Sequence, residues 1–254
     1  MPKKVDALVF APHPDDGEIF CGGTIAGLVS KKYRVGLIDM TRGELGSQGN
    51  VAKRKKESEQ ADKILKISFR KNLGLKDGSL SDPTQKKSLN AVVKVIREYK
   101  PSIVLAPYWE DRHPDHVGAG QLVSKAVFYA ALRKFLVSGT APHSVNQALF
   151  YPTRVNIPPS ILVDITASFK TKLAAINCYG SQVTRDPKLA GSGIKTLVSS
   201  PLAISSITDR DGFFGSMIGV RYAEPFIIRN AIRVDDPVKF FNERPLGEAL
   251  FLNR

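Results

Sequence analysis

A three-layer α/β domain, with a mostly parallel sheet and helices on both faces, is the fold class that the sequence predicts. Three observations carry the prediction. Short β-rich runs alternate with helical patterns through residues 1–136, the pitch of successive βαβ units and hence of parallel strands. The early runs are almost continuously apolar, as strands buried on both faces are. The 254 residues, 43% of them hydrophobic and 24% charged, suit one sizeable core, and no repeat, low-complexity tract or interdomain linker divides them.

The elements follow in order. Val5–Ala11 (VDALVFA) reads as the first strand, Ile19–Ser30 as a helix and Val35–Met40 (VGLIDM) as the second strand. Residues 41–50, TRGELGSQGN, combine Gly43, Gly46 and Gly49 with Ser47 and Asn50 and form a loop. Val51–Leu65 spaces its apolar residues between charges, as an amphipathic helix does. A short strand near Ile67–Leu73, a helix over Thr84–Tyr99, a fourth strand at Ser102–Ala106 (SIVLA) and a helix over Val117–Leu136 complete the regular part. Beyond it the pattern loosens. Ala148–Tyr151 and Ile161–Ile165 read as strands and Ser168–Tyr179 as a helix; the Gly/Ser stretch at Gly191–Gly193 precedes a helix from Lys195 onward, and Pro225 interrupts a late apolar run. The expected architecture is thus one Rossmann-like domain over 1–254, regular in 1–136 and less regular in 137–254.

Composition excludes several function classes. No apolar run approaches the ~18 residues a membrane span needs. Cys21 and Cys178 supply no disulfide framework and fit a reducing compartment. In MPKKVDALVFAPHPDD the apolar stretch is short, and Asp15 and Asp16 stand where a signal peptide would place small residues, so a cytoplasmic location is expected. Lys and Arg number 37 against 24 Asp and Glu, a net charge of +13, yet the one dense run, Lys53–Lys56, lies in a predicted helix without interleaved aromatics. That pattern fits a solvated surface with some attraction for anionic substrates, and no nucleic-acid partner is expected. Polyanion binding without chemistry stays as the remote alternative.

Two loops carry the chemistry. Pro12-His13-Pro14-Asp15-Asp16-Gly17-Glu18 follows the first strand, and Trp109-Glu110-Asp111-Arg112-His113-Pro114-Asp115-His116 follows the fourth. Three of the four histidines lie in these loops, and both contain His-Pro-Asp. If the sheet order is 3-2-1-4-5, the two strands are neighbours, and the crevice beyond their carboxyl ends is the switch point where ligands bind. Imidazole nitrogens and a carboxylate supply the three protein ligands of a hydrolytic zinc site with one open position. A spare carboxylate could take a proton from water, and a spare imidazole could stabilise a developing oxyanion. Spacing alone leaves open which of Asp15 and Asp16 would bind metal. A dinucleotide site is excluded, because Pro and two carboxylates occupy the turn where Gly-x-Gly-x-x-Gly would have to admit a pyrophosphate.

These two motifs resemble the signatures of the LmbE-like (PIG-L) zinc N-deacetylases. TRGELGSQG, Arg54-x-x-Glu57, NLGLKDG, APYWEDRHPDH, CYGSQ and GVRYAEPF are similar to the bacillithiol-biosynthesis branch and together cover most of the chain. The resemblance implies metal-dependent hydrolysis of the acetamide of an N-acetylglucosaminyl conjugate, N-acetylglucosaminyl-malate in that branch. The alternative within the same chemistry is another N-acetyl sugar, such as a chitooligosaccharide or a glycolipid precursor. It implies His13, Asp16 and His116 as zinc ligands, in a set that also accepts Fe²⁺. Asp15 would be the general base, His113 would polarise the scissile carbonyl, and Asp115 would orient the His113 imidazole. Glu44 in the glycine-rich loop, Arg54, Arg112 and Tyr222 are the implied substrate contacts, with Arg54 suited to a malate carboxylate. A homo-oligomer, trimer or hexamer, is implied as well. Two departures stand out: Gly17 separates Glu18 from the paired aspartates, and Asp111 stands where some relatives carry a proton-donating tyrosine, which leaves Asp15 or His113 as the donor. His143 and Cys21 are expected to be structural.

Overall fold

The structure is a computed structural model, in which residues 4–46, 49–82, 86–153, 155–183 and 202–243 are described. The chain runs β1 (Ala7–Ala11), α1 (Asp16–Ser30), β2 (Val35–Asp39), α2 (Val51–Leu65), β3 (Phe69–Asn72), α3 (Lys86–Tyr99), β4 (Ile103–Pro107) and α4 (Pro114–Ala131). It continues through β5 (Gln147–Tyr151), β6 (Ile161–Asp164), α5 (Phe169–Ile176), α6 (Ala203–Ser216), β7 (Ala223–Ile228) and α7 (Pro237–Asn242). One sheet of order β3-β2-β1-β4-β5-β7-β6 results. Its first five strands are parallel, and β7 runs antiparallel to both β5 and β6.

The strand sequences explain the layers. Along β1 every residue is buried, but alternate side chains serve opposite cores. Ala7, Val9 and Ala11 pack with Ile25 of α1, Leu65 of α2 and Ile176 of α5. Leu8 and Phe10 pack with Val92 and Ile96 of α3 and Val123 of α4. The predicted helices on both faces are therefore present, and the expected neighbourhood of the first and fourth strands is observed.

Two helices begin earlier than their apolar periodicity suggests. α1 starts at Asp16 and α4 at Pro114, so each motif runs directly into a helix and its polar residues occupy the first turn. Proline at the first helical position of α4 fits, since that N–H would have no partner within the helix. Pro225 is accommodated inside β7 because β5 pairs with β7 only at Ile227 and Ile228, leaving no ladder bond to lose on that side. Residues 83–85 and 184–201, which include the predicted helix start at Thr84, the Gly/Ser stretch and the onset at Lys195, lie outside the described residues.

The less regular second half braces the first. α1 is broken at Cys21 (φ −142°, ψ 19°). Near the break Glu224 of β7 accepts the N–H groups of Gly23 (2.9 Å) and Thr24 (2.7 Å). The fully buried Lys172 of α5 answers that charge, with Nζ 2.7 Å from Glu224 and 2.5 Å from Asp211 of α6. The second segment of α1 is thus capped by the C-terminal half, while the short first segment, carrying Asp16, Glu18 and Phe20, is tied to it by the Tyr179 hydroxyl donating to Glu18.

Candidate metal centre

The first motif folds around its own carboxylate. Asp16 Oδ2 accepts the His13 N–H at 3.0 Å, closing the turn that starts α1. Asp15 between them takes φ 127°, a region that residues with a Cβ rarely occupy, so the turn holds it against local preference. In the second motif His113 caps α4, its Nδ1 accepting the Asp115 N–H at 3.2 Å. Because β1 and β4 are adjacent and parallel, the two loops meet. The ring centroids of His13, His113 and His116 lie 4.8–5.7 Å apart.

Asp16 Oδ2 is 3.2 Å from His13 Nδ1 and 3.3 Å from His116 Nε2. One ligand atom from each of His13, Asp16 and His116 lies within 4.8 Å of the other two. Two imidazole nitrogens and a carboxylate oxygen converging from separate loops form a donor set that a divalent cation of zinc type fits. The outer nitrogen of each imidazole is also engaged. His13 Nε2 is 3.1 Å from Asp77 Oδ1 and 3.5 Å from Asp115 Oδ2, and His116 Nδ1 is 3.1 Å from Thr153 Oγ1 and 3.5 Å from Asp111 Oδ2. His13, Asp77 and Asp115 make a second close grouping. Their carboxylates, however, already accept backbone N–H groups: Asp115 those of Gly78 (2.7 Å) and Leu80 (3.0 Å), Asp77 that of Leu45 (2.8 Å). This fits carboxylates that orient a ligand histidine rather than a separate ion site.

The electrostatics sort the two neighbouring aspartates. Burial acts against ionisation of Asp16, but the charges and hydrogen bonds of His116 and His13 prevail and hold its carboxyl well below the usual range. Asp15 goes the other way: burial first, then the charge of Asp16, raise it to about 7 against the pull of Arg54 and His13. His116 is pushed up to about 9 despite its burial, by Asp16 and Asp111. His113 is lowered by desolvation and by the neighbouring His116 and His13, which favours its neutral imidazole.

The implied substrate contacts separate in space. Arg54 is buried rather than solvated, with Nη2 3.9 Å from Asp15 Oδ2 and donating to Gln182 Oε1. The glycine-rich loop covers it; Gly43 takes φ +66°, a conformation that residues with a Cβ rarely adopt, and a Cβ there would press on Arg54 Nη1. The exposed Glu44 accepts the N–H groups of Arg42 (3.0 Å) and Asp77 (3.3 Å), tying the loop to the turn behind His13. Arg112 is exposed beside His113. Tyr222 is a packed tyrosine, stacked on Phe169 at 3.6 Å under the Arg221 guanidinium, and none of its described contacts is with the histidine cluster. Asp115 meets the His113 imidazole through its main chain. Its carboxylate holds the 78–80 turn, and its main-chain N–H orients the ring.

Asp77 and Thr153 are invisible as site residues in the sequence. Asp77 lies within the NLGLKDG block without a motif of its own, and Thr153 follows a strand that carries neither signature. Glu18 has a firm structural role despite the intervening Gly17: fully buried, it pairs with Arg70 and accepts the Tyr179 hydroxyl at 3.0 Å. His143 Nε2 binds the Pro101 carbonyl at 2.7 Å and Cys21 is buried in the core, both structural as expected.

Residues 8–127, which carry both loops, match the family model described as PIG-L, GlcNAc-PI de-N-acetylase. The diacetylchitobiose deacetylase of Thermococcus kodakarensis is 33% identical over 237 residues, 87% of this chain and 81% of that protein. The chain belongs to the PIG-L deacetylase family. The crystal structure of the conserved protein TT1542 from Thermus thermophilus superposes with a TM-score of 0.79 at 38% identity, covering 91% of this chain and 98% of that one. The probable N-acetyl-alpha-D-glucosaminyl L-malate deacetylase 2 of Bacillus anthracis is 26% identical over 192 residues, 69% of this chain and 80% of that protein. Two of these relatives, the Thermococcus and Bacillus proteins, are named as deacetylases of N-acetylated sugars or sugar conjugates, and deacetylation of that substrate class is the activity the family membership supports. No helix among the described residues is long and apolar enough to cross a membrane.

Proposed function

We propose that this PIG-L protein is a zinc-dependent N-deacetylase of N-acetylglucosaminyl-malate, releasing acetate and the free amine. The observation that carries the chemistry is the meeting of His13, Asp16 and His116 from two distant loops, with Asp15 beside them near neutrality. A divalent cation held there supplies Lewis-acid polarisation of an amide carbonyl and acidifies water. Asp15 takes the proton of the attacking water, a task suited to a carboxylate whose pKa lies near the working pH. His113, next to His116 and open to solvent, faces the substrate side and donates a hydrogen bond to the carbonyl oxygen as its charge develops. Breaking the C–N bond leaves an amine that needs a proton, returned by Asp15 or His113. Arg54 keeps Asp15 oriented from beneath the glycine-rich loop.

For the malate conjugate, support comes from the similarity to the Bacillus anthracis protein; the cavity of about 370 Å³ beside Pro14 carries Arg42, Lys55 and Arg70 but equally Asp39, Glu59 and Asp62, and so favours neither substrate. A second reading, the same reaction on diacetylchitobiose, is favoured by the higher identity to the Thermococcus enzyme. Acetate release from N-acetylglucosaminyl-malate, diacetylchitobiose and free N-acetylglucosamine, with and without chelator, tests both. Chelator-sensitive turnover with the malate conjugate preferred is expected. Preference for diacetylchitobiose would transfer the assignment to the second reading, and release from none of the three would remove both.

A further inference from the structure

The second ligand histidine is aimed by a strand that neither motif occupies. β5 lies beside β4, and its end brings Pro152 and Thr153 over the carboxyl edge of the sheet. There the buried Thr153 places Oγ1 3.1 Å from His116 Nδ1. The segment is fixed from both sides. The Tyr151 hydroxyl donates to the Phe10 carbonyl at 2.7 Å, and Arg210 of α6 donates through Nη2 to the Pro152 carbonyl at 2.8 Å. The Arg210 guanidinium also lies 5.4 Å from the centre of the Phe20 ring, which meets the His116 ring edge-on at 6.4 Å. Phe20 therefore limits the plane of the imidazole while the hydroxyl meets its outer nitrogen.

An imidazole can offer Nε2 to a cation only when its proton sits on Nδ1, and what accepts that N–H decides the tautomer. Asp111 Oδ2 faces the same nitrogen from 3.5 Å while Asp111 Oδ1 accepts the His113 N–H at 2.8 Å, so the Thr153 hydroxyl is the nearer acceptor and the carboxylate its competitor. We propose that Thr153 is the positioning residue for His116: its Oγ1 accepts Nδ1–H and keeps Nε2 as the donor facing Asp16. The proposal rests on the metal-centre reading given above. It makes a residue outside both signature motifs part of the metal's second layer and gives the Arg210 contact a purpose.

The test measures zinc dissociation constants for the metal-free protein by competition with a chromophoric chelator, in wild type, Thr153→Ser, Thr153→Val and Asp111→Asn. Thr153→Val is expected to weaken binding by roughly 10–100-fold, and Thr153→Ser, which keeps the hydroxyl, to stay within about threefold of wild type. Wild-type affinity in a folded Thr153→Val protein, or a loss confined to Asp111→Asn, would overturn the assignment. Should Thr153→Val fail to fold, the ¹⁵N imidazole spectrum of zinc-loaded wild type decides: His116 should carry its proton on Nδ1 with Nε2 bound, and zinc on Nδ1 would refute the proposal. A wild type that binds no zinc removes the metal centre itself, which is distinguishable from an intact centre indifferent to Thr153.

Discussion

At the residue scale the site turns on two adjacent carboxylates driven apart. Asp16 points at two imidazoles and stays ionised, whereas Asp15 is buried beside that negative charge and rises to about 7. Such divergence is what the proposed roles require, one residue to hold metal and the other to move protons. Asp15→Asn should therefore lower kcat by about 10²–10⁴-fold with metal content unchanged by elemental analysis. Equal loss of metal and activity would mean that Asp15 is a ligand. The histidines make a second prediction. His116 sits at about 9 without metal, so at pH 7 zinc must displace its proton. Calorimetric titration in buffers of different ionisation enthalpy should report at least one proton released per zinc, with affinity rising as pH increases toward 9. Among these residues His13, Asp15, Asp16, His113 and His116 are legible because they sit in paired motifs at strand ends. Asp77 and Thr153 are not, because an aspartate in a turn and a threonine after a strand look the same whether or not an imidazole is nearby.

At the element scale the informative feature is the broken α1. Its first segment carries Asp16, and Glu224, paired with Lys172, receives the backbone N–H groups just beyond the break at Cys21. Lys172→Met would remove the central cation of the buried triad, leaving Glu224 only its two backbone N–H donors and Asp211 only Arg210 at 3.4 Å, and should destabilise the fold by about 3–5 kcal/mol in urea unfolding. A change below about 1 kcal/mol would show that the triad is not what braces the helix. Local sequence anticipates most elements, Val51–Leu65 with the observed bounds, but the helix predicted over Ile19–Ser30 runs unbroken through Cys21 although Gly22-Gly23 follow it directly. What no local pattern encodes is the acceptor of the N–H groups freed there, a carboxylate some two hundred residues away. The helix starts at Asp16 and Pro114 escape the apolar pattern for a related reason, since capping side chains bound for a site interrupt the periodicity.

At the scale of the whole molecule, β1 and β4 are central neighbours, so the sheet itself brings the two loops together. Each loop is also closed by its own bonds, Asp16 to the His13 N–H and Asp115 to the 78–80 turn. Removing metal should accordingly leave a folded protein of lower stability. At a zinc concentration about 100 times Kd the linkage is about 2.7 kcal/mol, or roughly 5–10 °C in Tm for a chain of this size, readable by calorimetry with and without chelator. Complete unfolding on chelation would mean that the ion, not the sheet, assembles the site. The parallel core is legible because doubly buried strands announce themselves as apolar runs. The edge order β5-β7-β6 is not, since antiparallel pairing of late, short strands is set by tertiary packing.

The most direct test of the account is metal stoichiometry in wild type and in the single variants His13→Ala, Asp16→Ala and His116→Ala, each purified and dialysed against the same zinc buffer. One equivalent per chain in wild type, lost or severely reduced in all three variants while circular dichroism stays native, is the predicted result. A full equivalent retained by any folded variant, or none in wild type, would contradict a centre shared by the two loops.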